Sequence, residues 1–118
     1  MDRIVEKALL FDFYGELLTE HQKMVYGEYI HNDLSVSELA GILGISRQGA
    51  HDLVRRCEKS LYEYESRLHL VEHFRQIRKM VGRIRRCADE IISCDDRELE
   101  QIRAKEIESL SGQILDAY

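Results

Sequence analysis

The chain has 118 residues, with 17 Lys and Arg against 22 Asp and Glu, a net charge of −5, no Pro and three Cys. That length fits one domain, or one small domain with an extension, and the acidic balance excludes an indiscriminate nucleic-acid coat. No run approaches the length of a membrane helix, the apolar run from Ala8 to Phe11 is too short for a signal peptide, and Cys57, Cys87 and Cys94 lack paired spacing, so reduced thiols and a cytoplasmic location are expected.

The composition, rich in aliphatics, Glu, Arg and Lys, predicts an all-α fold. Residues 3–18 read as a first helix, with Ile4, Ala8, Phe11 and Leu18 among its buried positions and Gly15 weakening its end. Thr19 with Gln22 forms a capping-box pattern that opens a second helix running to about Ile30. This helix presents Val25, Tyr26, Tyr29 and Ile30, and His31-Asn32-Asp33 follows as a turn.

Residues Val36 to Arg55, VSELAGILGISRQGAHDLVR, read as a helix-turn-helix. Ser35 with Glu38 is a second capping box and Ser46 caps the second helix. Ala40 is small where the helices cross, and Gly44 stands at the turn, where a left-handed backbone is needed. Leu39, Leu43, Ile45, Leu53 and Val54 supply the shared apolar core. Ala50 stands where a larger aliphatic would pack better, and Gly49 loosens the helix.

Beyond the motif, Ala50, Val54, Cys57, Leu61, Tyr64, Leu68 and Val71 recur at alternating steps of four and three. A second register then begins: Leu70, Phe74, Ile77, Val81, Ile84, Ala88 and Ile91. The registers do not share a phase, so an interruption is expected near Leu68 to Leu70, followed by a long helix to about Ile92. Asp95 with Glu98 opens a final helix carrying Leu99, Ile102, Ile107, Leu110 and Ile114. The expected domains are residues 1–66, a helix-turn-helix domain, and 67–118, a helical extension. The final helix is acidic and the long one basic, which favours an antiparallel hairpin. One hairpin covers little of both stripes, so a homodimer is expected through Leu70, Phe74, Ile77, Val81, Ile84 and Ile91.

Charge is unevenly placed. Residues 55–86 carry 10 basic and 4 acidic side chains, against 4 and 9 in residues 1–54 and 3 and 9 in residues 87–118. In a helix-turn-helix the first turns of the second helix enter the major groove. The candidate nucleic-acid contacts there are Arg47, Gln48 and His51, with Arg55, Arg56 and Lys59 placed for phosphates. Asp52 on the same face would repel phosphate. A second basic face is Arg75, Arg78, Lys79, Arg83 and Arg86, with Arg85 beside it. It is suited to an RNA backbone or an acidic protein surface.

Nothing marks an enzyme: there is no phosphate-binding Gly-rich loop and no nucleophile elbow. His69 and His73 are four apart and could share a metal, but no third ligand is near, so a solvated or stacking role is the reading taken. Asp95-Asp96 reads as a helix cap, and neither metal nor cofactor is expected.

The segments LLFDFYGELLTEHQ (Leu9 to Gln22) and SVSELAGILGISRQ (Ser35 to Gln48) closely resemble the YlxM family of small bacterial helix-turn-helix proteins. The run Tyr14-Gly15-Glu16-Leu17-Leu18-Thr19 and the Arg47-Gln48 pair carry the match, which spans residues 4–68. Gly49, Ala50 and His51 depart from the family's usual Ala, aliphatic and Tyr. The paired helices also resemble, more broadly, the promoter-reading region 4 of sigma factors, and the fold expected is a helix-turn-helix of winged-helix-like or sigma region-4-like form. The family is linked to the signal recognition particle pathway because its gene lies beside that of the particle's GTPase. The resemblance therefore implies a regulatory role in co-translational protein targeting, with the particle's RNA or GTPase as partner, or a role in expression of the operon. Two other readings stay open: a transcription regulator reading promoter-like DNA, and an adaptor whose helix-turn-helix is only scaffold.

Overall fold

In the computed structural model, which describes residues 3–118, six α-helices follow one another: α1 (Arg3–Tyr14), α2 (Glu20–His31), α3 (Val36–Leu43), α4 (Arg47–Leu68), α5 (Leu70–Ser93) and α6 (Arg97–Ala117). Met1 and Asp2, at the start of the expected 1–66 domain, lie outside the described residues. No strand occurs among the described residues, so the winged-helix part of the expectation is corrected: the motif has no β-hairpin wing. Two compact units divide the chain, residues 1–71 and residues 72–118.

The first unit is organised by α4, against which α1, α2 and α3 all pack. Its core is Leu10, Phe11, Tyr14 and Leu18, then Val25 and Tyr26, Leu39 and Ala40, and Ala50, Val54, Cys57 and Leu61 from α4, closed by Val71. Local chemistry sets the helix starts. Thr19 and Gln22 exchange side-chain-to-backbone hydrogen bonds of 3.2 Å each. Ser35 and Glu38 do the same at 3.1 Å. Each box satisfies amides that the first turn leaves without a partner. The bonds from Ser35 to the Glu38 carboxylate hold that carboxyl below its ordinary range. Gly44 ends α3 at φ 69°, a left-handed conformation that costs a residue with a Cβ about 1–2 kcal/mol.

Several positions differ from the sequence reading. The first helix stops at Tyr14, and residues Gly15–Leu17 tighten into a 3-10 turn. Ile4 is 66% exposed, and Ile45, in the turn between α3 and α4, is 40% exposed. Leu53 is only half-buried, packed at the border of the core, and Leu68 at the end of α4 is exposed. Ala50 is fully buried in the core of the first unit. The Gly49 amide donates to Ser46 Oγ at 3.0 Å, capping the start of α4.

The interruption falls at His69, which takes φ 56° and ends α4 as α5 begins at Leu70. Two orphan amides of α5 are satisfied from the first unit's own side chains. Leu70 N–H donates to the Tyr14 hydroxyl at 3.1 Å, and Val71 N–H to Glu65 Oε1 at 3.0 Å. The positive end of α5 thus meets a carboxylate.

In the second unit α5 and α6 run antiparallel. Tyr118, at the end of α6, donates to Gln76 Oε1 at 2.6 Å near the start of α5. Further along α5, Arg83 Nη2 reaches Glu106 Oε1 at 3.1 Å, and Glu90 pairs with Arg103. The acidic final helix therefore pairs with the basic long one. The cap of α6 is Asp96 and not Asp95; Asp96 Oδ1 accepts from the amides of Glu98 at 3.0 Å and Leu99 at 3.4 Å.

Candidate nucleic-acid interface

The helical period that buries Ala50, Val54, Cys57 and Leu61 turns the other side of α4 outward. Arg47, Gln48, His51, Arg55, Arg56 and Lys59 are all exposed. Ser46 fixes the helix start beneath them, as its Oγ accepts from Gly49. The motif therefore presents its second helix with a clean division between core and solvent faces.

The first turns carry a restriction. Gln48 Nε2 donates to Asp52 Oδ1 at 3.1 Å, and His51 Nδ1 lies 3.9 Å from the same oxygen. The side chain that would read adenine is engaged by a neighbouring carboxylate. The pair is spaced i to i+4, which is legible in the sequence.

Further along, Asp52, Arg55, Arg56, Glu58, Lys59 and Tyr62 line a shallow groove of about 640 Å³. Glu58 faces inward partners: it accepts from the Tyr26 hydroxyl at 2.9 Å and pairs with Lys7 Nζ at 3.1 Å. Burial first, then the Glu58 charge, raise the Tyr26 phenol far above its ordinary range, so it stays a donor. With Glu58 compensated, Arg55, Arg56 and Lys59 set the sign of the groove. Sequence reasoning missed Tyr62, although its place three residues after Lys59 and seven after Arg55 puts it on their face.

In the second unit, Arg78, Lys79, Arg83 and Arg86 are exposed on α5 and Arg75 is partly buried. The Arg78 guanidinium lies 5.7 Å from the centroid of the Phe74 ring, within cation–π range. Arg83 is engaged by Glu106, and that hydrogen bond, aided by the Cys87 thiol, lowers the Glu106 carboxyl. Along the apolar stripe Leu70 and Val81 are exposed, while Phe74, Ile77, Ile84 and Ile91 are half-buried.

His69 occupies the left-handed break, so it and His73 do not share a continuous helix. His73 packs edge-on to Tyr118, with ring centroids 4.9 Å apart, in keeping with the stacking role read for it. Among the described residues no group of three or more His, Cys, Asp or Glu could hold a metal ion. Nor is any helix among them long and apolar enough to cross a membrane.

Residues 1–102 match the model of the family UPF0122, described as "Putative helix-turn-helix protein, YlxM / p13 like". The chain belongs to the UPF0122 family. A UPF0122 protein of Symbiobacterium thermophilum is 44% identical over 100 residues, covering 83% of this chain and 92% of the relative. One from Thermoanaerobacter sp. is 37% identical over 115 residues, covering 93% and 97%. One from Caldanaerobacter subterraneus subsp. tengcongensis is 42% identical over 86 residues, covering 73% and 74%. The match in residues 1–102 contains both helices of the motif and the stretch of α4 that bears the exposed cations.

Proposed function

We propose that this UPF0122 chain is a non-enzymatic regulator that binds nucleic acid by its phosphate backbone, through the exposed face of α4. One observation carries the reading: Arg55, Arg56 and Lys59 stand together on an open groove while the adjacent Glu58 is compensated by Lys7 and Tyr26. The engagement of Gln48 by Asp52 favours backbone grip over base readout. The place of this binding in the cell comes from the resemblance to the YlxM family. It is the signal recognition particle pathway in the cytoplasm, with the particle's RNA as the polyanion and its GTPase as a second partner. A homodimer formed through the uncovered α5 stripe completes the reading.

The adaptor alternative has its own support, since that same stripe offers an apolar surface to another protein. Fluorescence anisotropy separates the readings. With the particle's RNA, binding weakens steeply as salt rises, and Arg55→Glu with Arg56→Glu removes most of it. Equal binding of promoter-like duplex DNA, lost on Arg47→Ala and Gln48→Ala, favours the transcription regulator. Retention of the GTPase with no nucleic acid bound favours the adaptor.

A further inference from the structure

Gly82 sits in the interior of α5, where a glycine weakens a helix relative to alanine. No packing contact within the chain explains it. A Cβ built there would meet nothing within 4 Å. Gly41 and Gly112 are equally open, so openness alone does not single Gly82 out. Its surroundings do. Arg78, Lys79, Arg83 and Arg86 line a groove of about 470 Å³ over Gly82, and no carboxylate lines it. The helix neighbours of Gly112, by contrast, include Glu108 and Asp116.

Arg78 and Lys79 lie one turn before Gly82 and Arg86 one turn after it. Arg86 lines the groove from that side and also borders a second groove with Glu90 and Glu106. Arg78 is steadied by the Phe74 ring. Arg83 is bound to Glu106, and among the described residues none of Arg78, Lys79 and Arg86 has an ion-pair partner. From residue 73 to residue 88 the sequence has six Arg and Lys and no Asp or Glu. The result is a bare stretch of backbone flanked by uncompensated cations on both sides.

We propose that this saddle seats a phosphate of a nucleic-acid backbone, with Gly82 allowing the close approach and Arg78, Lys79 and Arg86 neutralising the charge. An acidic helix of a second copy would need an apolar seam within the groove itself, and the groove's lining is Gly82 and four cations, apart from the apolar stripe. The site rests on the nucleic-acid reading above and adds a second point of grip, in the second unit.

The test uses the full chain and a fluorescein-labelled RNA hairpin of mixed sequence, with Gly82→Leu as the main variant. Leu is a strong helix former, so the melting temperature is expected to rise. Affinity is expected to fall roughly tenfold, and the slope of log K against log salt to become shallower by about 1–2, the loss of one or two phosphate contacts. Lys79→Gln with Arg86→Gln, which keeps the helix surface open, is expected to reduce the slope likewise. Unchanged affinity and slope in both variants overturn the site while leaving binding through α4 intact. A change of mass in sedimentation with RNA affinity unchanged assigns the glycine to a second copy and also overturns it. Failure of the wild-type chain to bind this hairpin, the particle's RNA or duplex DNA overturns the function itself, and the site with it.

Discussion

The Tyr14 hydroxyl donates to Glu65 Oε1 at 2.5 Å across 51 positions of sequence, while accepting from the Leu70 amide at 3.1 Å. Glu65 accepts in turn from Val71 N–H at 3.0 Å. One phenol from α1 and one carboxylate from α4 thus close both the end of α4 and the start of α5. Burial, followed by the Glu65 bond, raises the Tyr14 phenol above its ordinary range, so the donor is retained at neutral pH.

Tyr14→Phe removes the link without emptying the core. Glu65 loses a donor and the Leu70 amide loses its acceptor, so urea unfolding is expected to show a loss of about 1–3 kcal/mol. Hydrogen exchange at the Leu70 and Val71 amides should quicken together. An unchanged unfolding midpoint would mean that the junction stands without the phenol.

Leu39 is fully buried against α4, and Leu39→Ala is expected to cost about 2–5 kcal/mol. Leu53→Ala should cost less, because Leu53 is only half-buried. Arg47→Ala should stay within about 0.5 kcal/mol, as its side chain is exposed and does not pack in the core. Chemical denaturation of the three variants ranks them. Equal losses would show that the inner face of the motif is wrongly assigned.

The cysteines differ in accessibility and in proton affinity. Burial, then the nearby Glu58 charge, push the Cys57 thiol from its ordinary 9.0 up to about 11. The folded state therefore favours the protonated form. Its contribution to stability is full below 9.0 and is lost as pH rises from there through about 11. At neutral pH a thiol reagent should label the partly exposed Cys94 first, and Cys57 only once urea unfolds the chain. Labelling of Cys57 in the native protein at the rate of Cys94 would contradict its burial.

The α5 stripe gives the oligomer test. Ile77→Glu with Ile84→Glu should release monomers in sedimentation velocity at micromolar concentration, because charge on a half-buried stripe opposes its burial by a second copy. A monomeric wild type would remove the homodimer from the proposal.

Much of the candidate site is legible in the sequence. The exposed face of α4 followed from the spacing of Ala50, Val54, Cys57 and Leu61, since a helix with one side buried must turn the other outward. The engagement of Gln48 by Asp52 is also a sequence-visible i to i+4 pair that the reading passed over. Glu58 was not legible, because its partners Lys7 and Tyr26 come from α1 and α2. Neither was the open surface at Gly82, which depends on what the rest of the second unit leaves uncovered.

The sequence by itself determined the features whose physics is local: the Thr19 and Ser35 boxes, the Gly44 turn, and the change of register that ends α4 at His69. Each is closed within a few residues by a hydrogen bond or an allowed backbone angle. The tertiary structure alone decided which apolar residues are covered. Ile4 fits the helical pattern and Ile45 belongs to the motif's apolar set, yet both stay exposed, while small Ala50 is fully buried. It also decided that Tyr14 and Glu65 hold the start of α5. Burial and long-range hydrogen bonding depend on which surfaces the chain brings together, and periodicity along one helix does not encode the face of another.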